Sequence, residues 1–209
     1  MKDNVIIVFG DSIAWGGNDS EHGGWVELLK NFAAKKTGFC TAVYNLGISG
    51  DSIESVLKRM PAEAKVRERH AKMKIILAVG TNESCYVKTE SNLEMSAEKF
   101  RECVSELIGT AKCLTKDVVY LGPTPCDEAR TLPIPWAPEF YHTLKLTKRN
   151  NDIIREECRR NKINFIDLFS EWSKADYKKL LDDGIHPTAE GHQKIFKTVS
   201  AFLVKNGLL

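Results

Sequence analysis

Two short apolar runs narrow the folds open to this chain more than any other feature. Val5-Ile6-Ile7-Val8-Phe9 and Lys74-Ile75-Ile76-Leu77-Ala78-Val79 show no apolar/polar alternation. A strand with one wet face alternates, whereas a strand covered on both faces stays apolar throughout. Both runs are too short for a membrane span and lack helical length. They read as inner strands of a parallel sheet, whose neighbours must be joined by helical crossovers.

Patterns for such crossovers lie between the runs. Trp25, Leu28, Leu29, Phe32 and Ala33 recur at helical spacing, with Gly38 just beyond as a stop. Thr41 to Tyr44 reads as a second strand. Asp51-Ser52 can cap a helix to about Met60, where Pro61 predicts its end. Ser96 opens a helix with one apolar stripe through Phe100, Cys103, Val104, Leu107, Ile108, Ala111 and Leu114. Val118 to Leu121 reads as a fourth strand, and a helix is expected from about Phe140 to Arg160. Ile163 to Ile166 reads as a fifth strand. Thr188 caps a last helix that buries Ile195, Phe196, Val199, Phe202 and Leu203. Five strands separated by helices predict a three-layer α/β/α fold with a five-stranded parallel sheet. With no repeat, low-complexity stretch or linker in 209 residues, residues 1–209 read as a single domain.

One connection differs from the rest. Gly122 to Glu139 carries Pro123, Pro125, Pro133, Pro135 and Pro138, with Leu132, Ile134 and Trp136 between them. Prolines exclude regular structure there. The apolar residues predict either a pocket wall or a loop packed on the sheet edge.

Net charge is +2, too small to imply nucleic acid or an acidic membrane as partner. The basic stretches Lys65-Val66-Arg67-Glu68-Arg69 and Arg159-Arg160 have acidic neighbours and read as solvated helix faces. Met1-Lys2-Asp3-Asn4 leads straight into a five-residue apolar run, too short for a signal peptide core or for membrane insertion. Cys40, Cys85, Cys103, Cys113, Cys126 and Cys158 form no C-x-x-C pair and no zinc spacing. Reduced structural thiols in a cytoplasmic protein are the expectation. Oligomeric state has no signature in these patterns.

In an open parallel sheet, ligands bind beyond the carboxyl ends of the strands. Gly10-Asp11-Ser12 follows the first strand, Asn45-Leu46-Gly47-Ile48-Ser49-Gly50 the second, and Gly80-Thr81-Asn82-Glu83 the third. Asp183-Gly184-Ile185-His186 precedes the last helix. Ser12, His186 and Asp183 are the residue types of a hydrolase triad. A serine hydroxyl needs a base to take its proton, and the base needs an acid to fix its tautomer. Each residue also has an ordinary structural reading: a turn, a backbone cap, a helix entry. Taken together at matched strand ends, the catalytic reading leads. Asp11 reads as a support of the serine turn. His22, His70, His142 and His192 read as surface or structural. His186 and His192 lack a third metal ligand, so no metal is expected.

These four blocks, in this order, resemble those of the GDSL, or SGNH, hydrolase family, named for Ser, Gly, Asn and His. The resemblance spans nearly the whole chain and implies a flavodoxin-like SGNH hydrolase fold. It implies Ser12 as nucleophile, Asp183 and His186 as its partners, and no cofactor. Its oxyanion hole would be the Ser12 N–H, the Gly47 N–H and the Asn82 amide. Two positions depart from the family pattern: Ile13 replaces leucine, and Glu83 stands where aspartate is usual.

The function implied is a serine esterase or acyl hydrolase that cleaves a small-molecule carboxylic ester, with a small or medium acyl group, through an acyl-Ser12 intermediate. Trp15, Ile134, Trp136, Phe140 and Tyr141 are the candidate substrate contacts. Carbohydrate deacetylases and thioesterases belong to the same family, and neither fold nor triad separates them. A reading from another class is a flavodoxin-like module cradling a phosphate in residues 10–17. That reading leaves Asn82, Asp183 and His186 without a role. Gly47-Ile48-Ser49-Gly50-Asp51 fails the G-x-S-x-G elbow at its last position, and neither dinucleotide nor P-loop glycine motifs occur.

Overall fold

A computed structural model describes residues 4–68 and 72–209. Met1 to Asp3, Arg69 of the basic stretch and His70 lie outside the described residues. In chain order the elements are β1 (Asn4–Gly10), α1 (Ser12–Trp15), α2 (Trp25–Thr37), β2 (Thr41–Gly47), α3 (Ile53–Lys65) and β3 (Lys72–Ala78). Then come β4 (Cys85–Val87), α4 (Ala97–Leu114), β5 (Val118–Leu121), α5 (Glu128–Thr131) and β6 (Phe140–His142). The chain ends with α6 (Leu144–Asn161), β7 (Asn164–Ile166), α7 (Leu168–Trp172) and α8 (Ala189–Lys205).

Five strands form one parallel sheet in the order β2-β1-β3-β5-β7. The pleat of β1 shows why the run Val5 to Phe9 has no polar residue. Val5, Ile7 and Phe9 pack on one face with Met60, Leu107 and Ile154 from α3, α4 and α6. Ile6 and Val8 pack on the other with Trp25, Leu29, Ile195 and Val199 from α2 and α8. Each fully buried side chain of this size contributes about 1.5–3 kcal/mol, set against the entropy of ordering the chain. The three-layer α/β/α architecture is therefore present.

β2 and β3 lie on opposite sides of β1. The chain leaves β1 to one side and returns on the other, which makes the carboxyl end of β1 a switch point and opens a crevice there. Ser12 begins α1 at that point.

Two expected boundaries move. α3 does not stop at Pro61 but runs to Lys65. Proline removes one helical hydrogen bond, yet the helix continues and packs Met60 before it and Ala64 beyond it into the core. Phe140 and Tyr141 are not helical. They belong to β6, which pairs antiparallel with β4 through Cys85–His142, Tyr86–Tyr141 and Val87–Phe140. The helix starts only after Thr143, whose side chain accepts from Leu146 N–H. The proline-rich connection also holds one regular turn, α5, between its two proline groups. Among the described residues, no helix is long and apolar enough to cross a membrane.

Candidate active site

The serine turn is built by Asp11. Its Oδ1 accepts the Ile13 N–H at 3.0 Å and so caps α1. Burial pushes the Asp11 carboxyl up to about 6, against the opposing pull of Ile13 N–H and His186. Ser12 therefore stands on a fixed turn with its own N–H at the start of a helix, where no intrahelical acceptor exists.

Asp183 folds its loop in the same way. Oδ1 accepts from the backbone N–H of Ile185 at 2.9 Å and of His186 at 2.8 Å. Oδ2 accepts from His186 Nδ1 at 2.6 Å. With the Nδ1 proton held there, the lone pair on Nε2 faces Ser12 Oγ at 2.8 Å. Burial would raise the Asp183 carboxyl. Hydrogen bonds from the His186 side chain and from the backbone of His186 and Ile185 outweigh it and hold the group below the usual carboxylate range.

One contributor was not found from sequence. Asn18, in left-handed backbone at φ 65°, donates from Nδ2 to Asp183 Oδ2 at 3.0 Å and to Asp182 Oδ2 at 2.9 Å. Asparagine in a glycine-rich turn signals such a backbone, but nothing local names a partner far along the chain.

Gly47 does not sit where the block resemblance put it. Its N–H donates to Asn45 Oδ1 at 3.0 Å. A Cβ at this position would lie 2.2 Å from the Trp15 nitrogen, so Gly47 lets α1 close against β2. The glycine on the cleft wall beside Ser12 and Asn82 is Gly50, at φ 82°.

Asn82 donates one amide hydrogen to Asp51 O at 2.8 Å, which leaves a second for a ligand. Its loop is pinned from α6 and β6. Asn150 Nδ2 donates to Ser84 Oγ at 3.0 Å, and His142 Nε2 to Thr81 O at 3.0 Å. Burial pushes the His142 imidazole down to about 4, so it stays neutral. Glu83, longer than the usual aspartate, reaches the Ile53 N–H at 2.6 Å and so binds the amino end of α3. Burial pushes its carboxyl up to about 7.

Ser12, Asn82 and His186 open into a cleft of ≈ 360 Å³ walled by Ile134, Trp136 and Phe140. The Trp136 and His186 ring centroids are 5.7 Å apart. Two of the candidate substrate contacts lie elsewhere. Trp15 is 58% exposed in a separate groove with Asp19 and Asp182. Tyr141 stacks on Tyr86 at 4.9 Å, on the opposite face of the β4–β6 pair from Phe140. His192 is buried, accepting from Trp25 N–H and donating to Gly17 O, which ties the loop after α1 to α8. Among the described residues, no three His, Cys, Asp or Glu side chains converge as metal ligands.

Residues 6–199 match the model of the GDSL-like lipase/acylhydrolase family. The chain belongs to that family. A GDSL esterase/lipase of Arabidopsis thaliana is 27% identical over 193 residues, covering 89% of this chain and 73% of its own length. A crystal structure of the lipase/acylhydrolase from Enterococcus faecalis superposes with a TM-score of 0.75 at 22% identity, covering 96% of this chain and 95% of that one. An acetyl xylan esterase superposes with a TM-score of 0.75 at 20% identity, covering 95% and 99%. At such identities the structures speak for the fold alone. Family membership makes this GDSL hydrolase an enzyme acting on esters, and the phosphate-cradle reading of residues 10–17 falls away.

Proposed function

We propose that this GDSL hydrolase cleaves a carboxylic ester with a small or medium acyl group through an acyl-Ser12 intermediate. The single observation that carries this reading is the unbroken chain Ser12 Oγ–His186 Nε2, His186 Nδ1–Asp183 Oδ2, at 2.8 and 2.6 Å. His186 takes the Ser12 proton as Oγ attacks the carbonyl carbon. Asp183 keeps the imidazole in its reactive tautomer and stabilises the imidazolium that forms. The Ser12 N–H, the Gly50 N–H and the free Asn82 amide hydrogen receive the charge that builds on the carbonyl oxygen. The protonated His186 then gives its proton to the leaving alcohol, and water, deprotonated by the same nitrogen, releases the acid. A cleft of ≈ 360 Å³ lies in the size class of small-molecule sites and suits a short acyl chain.

The test is labelling with a fluorophosphonate probe, wild type against Ser12→Ala, alongside turnover of p-nitrophenyl acetate, butyrate and octanoate. Labelling and turnover should vanish together in the variant, with octanoate the poorest substrate of the wild type. A folded wild type that neither labels nor turns over would sink the reading. Fast turnover of acetylated xylose with none of p-nitrophenyl butyrate would move the substrate to sugar acetates.

A further inference from the structure

The small β4–β6 sheet separates two cavities, and its pleat assigns side chains between them. The segment after β4 extends the sheet: Tyr86 bridges Leu93, and the Glu94 N–H donates to Cys85 O at 3.1 Å. Cys85, Glu94, Phe140 and His142 face the Ser12 cleft. Tyr86 and Leu93 face a separate cavity on the other side. Alternation along extended backbone demands this split.

Glu94 thus brings a carboxylate into the cleft, and it is the one Asp, Glu, Lys or Arg among the described residues that line it. No ion pair or side-chain hydrogen bond engages that carboxylate among the described residues. Its field reaches the cleft floor. Burial, followed by the Glu94 charge, pushes the Cys85 thiol up to about 12. The same cleft is lined by Trp136, 53% exposed, and by Phe140, on the sheet face that carries Glu94. An unpaired carboxylate in one cleft with two aromatic side chains is the chemistry that holds an ammonium group: charge attraction and ring quadrupoles can act on the same cation.

We propose that Glu94, Trp136 and Phe140 form a subsite for an organic cation, so that the preferred ester carries an ammonium or quaternary ammonium group. The proposal rests on the acyl-hydrolase reading for its reaction but not for its binding. An ester bearing a carboxylate or phosphate in this position would meet the like charge of Glu94 and be disfavoured.

The experiment has one kinetic and one binding arm. Hydrolysis of acetylthiocholine is compared with that of S-(3,3-dimethylbutyl) thioacetate, its uncharged isostere. The wild type should prefer the cation by about tenfold in kcat/KM, and Glu94→Gln should bring that ratio to near one. A wild-type ratio near one, or a ratio that Glu94→Gln leaves unchanged, overturns the proposal. So does turnover of p-nitrophenyl acetate with none of acetylthiocholine. Calorimetric titration with tetramethylammonium reads the subsite without turnover. Binding weakened about tenfold in Glu94→Gln supports it, and equal binding or none in both proteins overturns it. A protein that binds tetramethylammonium through Glu94 but fails to hydrolyse p-nitrophenyl acetate would instead separate a sound subsite from a failed hydrolysis reading.

Discussion

Asn18 donates to the same oxygen of Asp183, Oδ2, that accepts from His186 Nδ1. The amide ties the carboxylate to the turn that follows α1. Asn18→Gly keeps the left-handed backbone but removes the donor. It should lower kcat roughly three- to tenfold, the net worth of an ordinary hydrogen bond at a solvent-exposed contact, with KM little changed. Steady-state kinetics check this, and an unchanged kcat would limit Asn18 to shaping the turn.

Gly47 and Asn82 should fail in different ways. Asn82→Ala removes the proposed oxyanion donor and should cost about a hundred- to a thousandfold in kcat, while thermal unfolding moves little. Gly47→Ala drives a Cβ into the Trp15 backbone and should cost several kcat-independent degrees of Tm before any chemistry is considered. Calorimetry and kinetics on the two variants separate the roles. A Gly47→Ala protein of wild-type stability and lost activity would return the donor role to Gly47.

Glu83 makes stability depend on pH with an unusual sign. Its folded carboxyl, pushed up to about 7 chiefly by burial, binds a proton more tightly than in the unfolded chain. The folded protein therefore holds more protons between about pH 4.5 and pH 7, and stability falls as pH rises through that window. Glu83→Gln keeps an oxygen for Ile53 N–H. It should gain on the order of 2 kcal/mol over wild type at pH 8 relative to pH 5. Denaturant unfolding at the two values checks it; an equal difference at both would show Glu83 ionised throughout.

His142 works in the opposite direction. Burial pushes it down to about 4, so between about pH 6.5 and pH 4 the unfolded chain binds the extra proton. Stability from this residue is present above pH 6.5 and lost as pH falls through the folded value. His142→Gln should flatten that acid loss by on the order of 2 kcal/mol, read from urea midpoints at pH 6.5 and pH 4.5. The Glu83 effect partly masks it in the wild type, which is why the single variant is needed.

Periodicity alone determined the five-stranded sheet, since burial on two faces leaves its mark in the inner strands as runs of consecutive apolar residues, as in Val5 to Phe9. Ser12, Asn82 and the Asp183–His186 pair were also legible, because each stands in a short block after a strand or before the last helix, and the blocks in this order resemble those of the GDSL family. What the sequence could not show were pairings between distant segments. β4 and β6 are three residues each, and neither has a pattern until the other lies beside it. The extended reach of α3 past Pro61 depends on the surface that buries Ala64. Gly47 and Gly50 are alike in a glycine-rich loop, and only the close approach of α1 to one and the cleft beside the other tell them apart. Asn18 and Glu94 owe their partners and surroundings to contacts made across the fold, where hydrogen-bond geometry and charge, rather than local propensity, decide what a side chain does.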